Sequence, residues 1–173
     1  MINDPLFLAL LLCATGLSAQ EYVIGAAIYF HFSPDGKPTA AIVAALDRAK
    51  TAIRVQAYSF TSEPIASALK QAHGRGVDVQ VILDKSQPNQ HYTAATFLTN
   101  AKIPVFIDSR HAIAHNKIIV IDASTVITGS FNFTKAAETK NAENLLIIES
   151  KELARVYLDN WEKHRRHSDK VMK

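Results

Sequence analysis

From residue 22 onward, short runs of β-branched and aromatic residues alternate with stretches of about helical length, and this alternation restricts the chain to a layered α/β architecture. Residues 23–32 read as a first strand, and 38–46 as a helix opened by Pro38, whose fixed φ suits a first helical turn. Residues 52–60 read as a second strand. A helix capped by Thr61-Ser62-Glu63-Pro64 runs to Ala72 and is stopped by Gly74-Arg75-Gly76, and a third strand follows at 77–83. A further helix at 92–100 and a strand at 103–107 complete a first half expected to form a largely parallel sheet with right-handed crossovers and helices on both faces. Past Asp108 the rhythm changes. Strands at 117–122 and 125–129 are separated only by Ala123-Ser124, a spacing that allows a tight antiparallel hairpin and nothing longer. A strand at 143–149 and a helix at 152–167 with Leu153, Val156, Tyr157, Asn160 and Trp161 near one face end the pattern, so the expected fold is α/β with a mixed sheet.

With 173 residues, 48% of them hydrophobic and 20% charged, the chain can bury one sizeable core, and it is neither disordered nor low-complexity. One domain is expected over 22–173. Residues 6–14 are an uncharged apolar run, too short to span a bilayer comfortably and followed by small residues through Ser18-Ala19. Residues 1–19 therefore read as a signal peptide, although the preceding residues lack Lys or Arg, and the chain reads as periplasmic or secreted. Cys13, the single cysteine, lies in that run, which excludes a disulfide framework or a Cys-based zinc site. The net charge of +3 mildly favours anionic partners.

The chemistry concentrates in His115-Asn116-Lys117, Asp122 and Gly129-Ser130-Phe131-Asn132. Six specified positions at these spacings would recur by chance about once per several hundred thousand chains of this length. His115 and Lys117 are two apart at the start of one strand of the hairpin, and Ser130 and Asn132 are two apart at the end of the other. An imidazole, an ammonium, a hydroxyl and an amide are thereby expected at one sheet edge. That set suits a phosphate diester: an imidazole can act as nucleophile, while Lys117 and Asn132 offer donors to charge growing on the equatorial oxygens without a metal.

The spacing HxK(x)4D(x)6GSxN, matched at His115, Lys117, Asp122, Gly129, Ser130 and Asn132, resembles the signature of the phospholipase D superfamily. Within it, the chain is similar to the single-motif bacterial endonucleases, including Ala57-Tyr58-Ser59-Phe60-Thr61, Arg75-Gly76-Val77-Asp78-Val79 and the segment from Gly129 through Asn141. The resemblance implies a phosphohistidine intermediate and a homodimer in which a second copy supplies the second motif, so that His115 serves as nucleophile in one subunit and as acid in the other. No cofactor and no metal are expected, because no cluster of Asp, Glu, Cys and His has metal-ligand spacing and Lys117 supplies a cation. It further implies that Glu143 hydrogen-bonds an active-site imidazole. Asp122 completes the signature and is carried among the catalytic residues, yet its place beyond the apolar 118–121 run also suits a hairpin or ion-pair residue.

Other readings of these residues are weaker. Ser130 has no G-x-S-x-G elbow for a serine hydrolase. His111 and His115 have a helical metal-ligand spacing in a segment that reads as extended. Phe131 and Phe133 point away from Asn132 as core aromatics. His31, His73, His91, His164 and His167 have no partners in a recognisable spacing. Lys135 and Lys140 are candidates, with Lys117, Ser130 and Asn132, for binding a phosphate backbone. The expected function is a non-specific endonuclease acting on DNA or RNA. A lipid phosphodiesterase of the phospholipase D or cardiolipin type and a non-catalytic nucleic-acid-binding module are the alternatives, the lipid reading being disfavoured because no surface-like apolar run flanks 111–117 or 130–143.

Overall fold

The computed structural model describes residues 26–87 and 94–171. The expected signal peptide, the start of the first strand, His91 and the opening of the helix at 92 lie outside them.

The chain order is β1 (Ala27–Ser33), α1 (Pro38–Asp47), β2 (Ala52–Ala57), α2 (Glu63–Gly74), β3 (Asp78–Asp84), α3 (Ala94–Asn100), β4 (Val105–Asp108), β5 (Lys117–Ile121), β6 (Thr125–Gly129), α4 (Lys135–Thr139), β7 (Glu143–Glu149), α5 (Lys151–His167) and β8 (Asp169–Lys170). All strands join one sheet in the order β1-β7-β6-β5-β2-β3-β4-β8. The β2-β3-β4 segment is parallel, as crossovers through α2 and α3 require, and β5, β6 and β7 form an antiparallel meander docked on β2.

Two expectations about topology are corrected. β1 does not enter the parallel set. It pairs antiparallel with β7 at the far edge, because β5 occupies the side of β2 where a parallel neighbour would have lain. The hairpin turn is not Ala123-Ser124 alone: Asp122 and Ala123 both adopt positive φ, 51° and 50°, and the Ser124 amide donates to the Ile121 carbonyl at 3.0 Å. Two consecutive positive-φ residues twist the turn to match the strands, and this pulls Asp122 out of β5. The short helix α4, capped by the Thr134 side chain accepting from the Ala137 amide, was not anticipated, nor was β8.

Strand alternation divides the core between the two faces. Val55, Val81, Leu83, Ile119, Ile127 and Leu145 point towards α1, α2 and α3. Ile118, Val120 and Val126 pack on Ala154, Leu153 and Tyr157 of α5, and Trp161 joins Ile82 and Phe106 while donating its indole N–H to the Val55 carbonyl at 2.9 Å. Full burial of each large apolar side chain is worth about 1.5–3 kcal/mol, so α5 is anchored firmly enough to serve as a wall beside the sheet edge. No described helix is long and apolar enough to cross a membrane.

Candidate active site

The β5-β6-β7 register sets the frame. Ile119, Ile127 and Ile147 share one row across the three strands, so the next row towards the sheet edge holds Lys117, Gly129 and Leu145. Lys117 belongs to the face of Ile119 and Ile121, and there it is only 7% exposed. Its Nζ lies 3.0 and 3.1 Å from the two ring nitrogens of His115 and donates to the His115 carbonyl at 2.9 Å. Burial pushes the Lys117 ammonium below its ordinary pKa, and the charge of Glu143 opposes that shift. His115 is exposed at the edge. An imidazole open to solvent and a half-desolvated ammonium beside it are thus fixed at one point.

Tyr58 is a third member, to which the signature spacing does not point. Its ring centroid is 4.5 Å from that of His115, and Lys117 Nζ lies 5.3 Å from the Tyr58 ring centroid. The register pair Ala57–Lys117 accounts for this, since the residue after Ala57 must lie against the residues that lead into β5. The loop before His115 is held independently: Asp84 Oδ2 accepts the Ala114 amide at 2.7 Å, and Lys85 Nζ donates to the His111 carbonyl at 3.1 Å.

Ser130 and Glu143 meet, the hydroxyl donating to Oε2 at 2.6 Å, while Asn141 Nδ2 donates to Oε1 at 2.9 Å. Within the one chain Glu143 makes no hydrogen bond to His115. Both of its oxygens are engaged elsewhere, and it acts on the site through its charge on Lys117. Gly129 is required by a close approach: it has φ 148°, and a Cβ there would collide with the Asn144 carbonyl. Asn132 follows between Phe131 and Phe133, both fully buried as core aromatics, and the amides of Phe131 and Phe133 donate to Asn144 and Ser59. Its Oδ1 is buried with no hydrogen-bond partner among the described residues, and no hydrogen bond there ties it to His115 or Lys117. Lys135 and Lys140 are exposed just beyond it, and neither forms an ion pair among the described residues. On the α5 side a cleft of about 480 Å³ opens beside His115, lined also by Asn116, Thr128, Tyr157 and Asn160.

Asp122 is the residue the structure removes from the catalytic set. It sits at the opposite end of β5. Its Oδ1 accepts from the Thr51 amide and hydroxyl, each at 2.8 Å, and from the Ala52 amide at 3.0 Å, while Oδ2 accepts from the Lys50 amide at 2.9 Å. Burial would raise its pKa, but the backbone hydrogen bonds from Ala52, Thr51 and Lys50 and the Thr51 hydroxyl prevail and hold the carboxyl below its ordinary value. Asp122→Ala should cost about 2–3 kcal/mol at neutral pH by orphaning these donors, with the chemistry at His115 intact in the folded fraction. A group whose folded pKa is depressed stabilises above its unfolded value near 4 and loses that contribution as pH falls below it. The stability gap between wild type and variant, read by denaturant titration, should accordingly shrink between pH 5 and pH 3.

The structure also overturns the isolation of His164 and His167. Both meet His111 around Asp108, whereas His115 lies outside that group. The signal was present as two i,i+3 pairs, Asp108 with His111 and His164 with His167, but nothing local joins residues 108–111 to 164–167.

Comparison with known proteins accords with this architecture. Residues 42–165 match the family model described as cardiolipin synthase, PLD-like domain. A phospholipase D of Rickettsia felis is 48% identical over 130 residues, 75% of this chain, and the chain spans 65% of that relative's length. A mitochondrial cardiolipin hydrolase of Mus musculus is 32% identical over 122 residues, which are 70% of this chain and 55% of the relative. Among solved structures, Nuc of Salmonella typhimurium, a phospholipase D family member, superposes with a TM-score of 0.82 at 39% identity, covering 86% of this chain and 99% of that one. With the signature residues His115, Lys117, Ser130 and Asn132 distributed along one sheet edge of the matching fold, the chain belongs to the phospholipase D superfamily.

Proposed function

We propose that the chain is a phosphodiesterase that needs no metal for its chemistry, and that it acts as a non-specific endonuclease on DNA and on RNA. The observation that carries this reading is the exposed His115 imidazole with the buried Lys117 ammonium 3.0 Å from it. A phosphate oxygen approaching that ammonium brings phosphorus within reach of a ring nitrogen. The nitrogen attacks, a P–N bond forms as the P–O bond to the leaving group breaks, and the departing oxygen takes a proton from a second imidazole. Water deprotonated by that second imidazole then attacks phosphorus, breaks the P–N bond and restores His115. Lys117 and Asn132 donate to the charge that builds on the equatorial oxygens, the role a metal plays in other phosphoryl-transfer sites. Because the described residues offer one such histidine, the second comes from His115 of a partner subunit, in a homodimer with a composite site. Lys135 and Lys140 supply exposed cations next to the motif for a polynucleotide backbone, and the likeness to Nuc over nearly all of that chain supports the same substrate class. The same reading takes residues 1–19 as an export leader and the periplasm or the cell exterior as the site of action.

Hydrolysis of a phospholipid is the second reading, and a specific observation favours it. Ile113, two residues before His115, is 57% exposed, while the exposed Ile28, Tyr29, Phe30 and Phe32 lie on β1 at the far edge of the sheet. The relatives named phospholipase D and cardiolipin hydrolase point the same way. Supercoiled plasmid and cardiolipin-containing vesicles should be offered separately to the chain in chelator, well below its Tm, with folding checked by circular dichroism. Nicked plasmid without lipid product supports the nuclease; lipid product without nicking transfers the site to lipid. If the folded protein cleaves neither, it is not a phosphodiesterase and the binding-module alternative takes over.

A further inference from the structure

We propose that Asp108, His111, His164 and His167 bind a single zinc ion in a closed structural site separate from the catalytic edge. Each residue offers one ligand atom, and these atoms all lie within 4.8 Å of one another. They come from three places in the chain: Asp108 ends β4, His111 lies in the loop that leads to His115, and His164 and His167 occupy the last turn of α5.

The geometry is close to that of a coordination shell. His111 Nδ1, His164 Nδ1 and His167 Nε2 stand 3.1, 2.7 and 3.3 Å from the one oxygen Asp108 Oδ2. A tetrahedron built on metal–ligand bonds of about 2.0–2.1 Å has edges of about 3.3 Å. The ligand atoms lie within 4.8 Å of one another, so closing the shell calls for the rings to rotate inward.

As a hydrogen-bonded network, by contrast, the cluster is incomplete: His111 and His164 pair with the Asp108 carboxylate and His167 does not. Three imidazole nitrogens crowd one carboxylate oxygen, the ring centroids lie 4.8 to 5.3 Å apart, and Asp108 has no Lys or Arg partner among the described residues although its side chain is fully buried. His167 Nε2 is buried and, despite its 3.3 Å approach to Oδ2, has no aligned hydrogen bond. An unpartnered buried nitrogen aimed into a group of three other donor atoms is the arrangement a cation completes. Three imidazoles and one carboxylate, with no thiolate, match the nitrogen and oxygen ligands zinc takes. Calcium and magnesium, which demand oxygen ligands, do not fit. Neutral imidazoles would bind through the nitrogens that now face Oδ2 and carry their protons on the others. The second carboxylate oxygen, Oδ1, already accepts the Arg110 amide at 3.1 Å, which orients the ligand from outside the shell.

Four protein ligands leave no open position, so the ion would carry no step of the reaction. Its effect would be mechanical: it joins the end of β4 and the C-terminal turn of α5 to the loop that delivers His115, four residues beyond His111. The chain expected to hold no metal would thus be a zinc protein whose chemistry is metal-free.

The test uses the full chain, stripped with chelator, desalted and dialysed against Zn²⁺ alone. About one zinc per chain is expected, with Co²⁺ in its place giving the intense visible bands of a tetrahedral ion, and Tm should rise by about 5–10 °C in zinc at 100 times its Kd. His164→Ala and His111→Ala should each weaken zinc binding by at least about 100-fold, beyond the 10–100-fold expected for loss of an outer partner. The His111 side chain is 45% exposed, so its variant will remain folded even if His164→Ala does not. His115→Ala should bind zinc as the parent does. Failure to retain zinc overturns the proposal, as does retention unchanged in both ligand variants or loss in His115→Ala. None of these readouts depends on turnover, so the zinc site and the phosphodiesterase reading can fail independently.

Discussion

Replacing His115 by Ala should lower diester cleavage by roughly 10⁴-fold or more while Tm stays within a degree or two of the parent. The first half of that expectation follows from the chemistry, because removing the attacking nitrogen leaves no other histidine among the described residues with an ammonium at 3.0 Å. The second follows from exposure: the imidazole stands at the sheet edge and its contacts are the Tyr58 ring and Lys117, so its loss opens no cavity in the core. Lys117→Ala makes an informative contrast. It removes a charge that acts mainly on the transition state and should cost about 10²–10³ in kcat, with stability affected more than in the histidine variant because Lys117 is buried. Single-turnover trapping of a labelled substrate should give covalent label on the parent and none on His115→Ala. A variant that keeps parental turnover would remove His115 as nucleophile.

What could be read from the sequence was what is local. The hairpin, the amphipathic face of α5 and the burial of Phe131 and Phe133 each follow from spacing within a few residues, and all are present in the structure. The pairing of His115 with Lys117 is local as well, the two being two residues apart where the loop enters β5. The position of β1 was not legible, because an apolar run that becomes an edge strand differs little in sequence from one that becomes a central strand. Asp122 was ambiguous for a different reason: membership of a signature does not reveal whether a carboxylate faces substrate or the amides of a neighbouring strand, and here four donors from 50–52 decide it. The contacts of Glu143 with Ser130 and Asn141 follow from the β6-β7 register, which spacing along the chain does not give. The histidine cluster required the fold itself. Its two halves lie more than fifty residues apart and meet only because α5 crosses the sheet and ends beside β4.

Mixing intact subunits with His115→Ala subunits and allowing them to exchange should lower activity as the square of the intact fraction, so that an equimolar mixture retains about one quarter of the parental rate. The expectation rests on proton bookkeeping. Attack through nitrogen and expulsion of an alkoxide require a nucleophile on one side of phosphorus and a proton donor on the other, roughly a phosphate's width apart. Among the described residues of one chain the groups beside His115 are Lys117 and Tyr58, with Glu143 acting through its charge on Lys117, and none of these is a second imidazole. A two-fold axis near the exposed edge would bring His115 opposite its own copy and place two Lys117 ammonium groups around one phosphate. Every mixed dimer then lacks either the nucleophile or the acid. A linear decline, with about half the activity left at equal proportions, would show that each chain works alone, and a second proton donor would have to be sought among the groups lining the cleft beside α5, which include Tyr157.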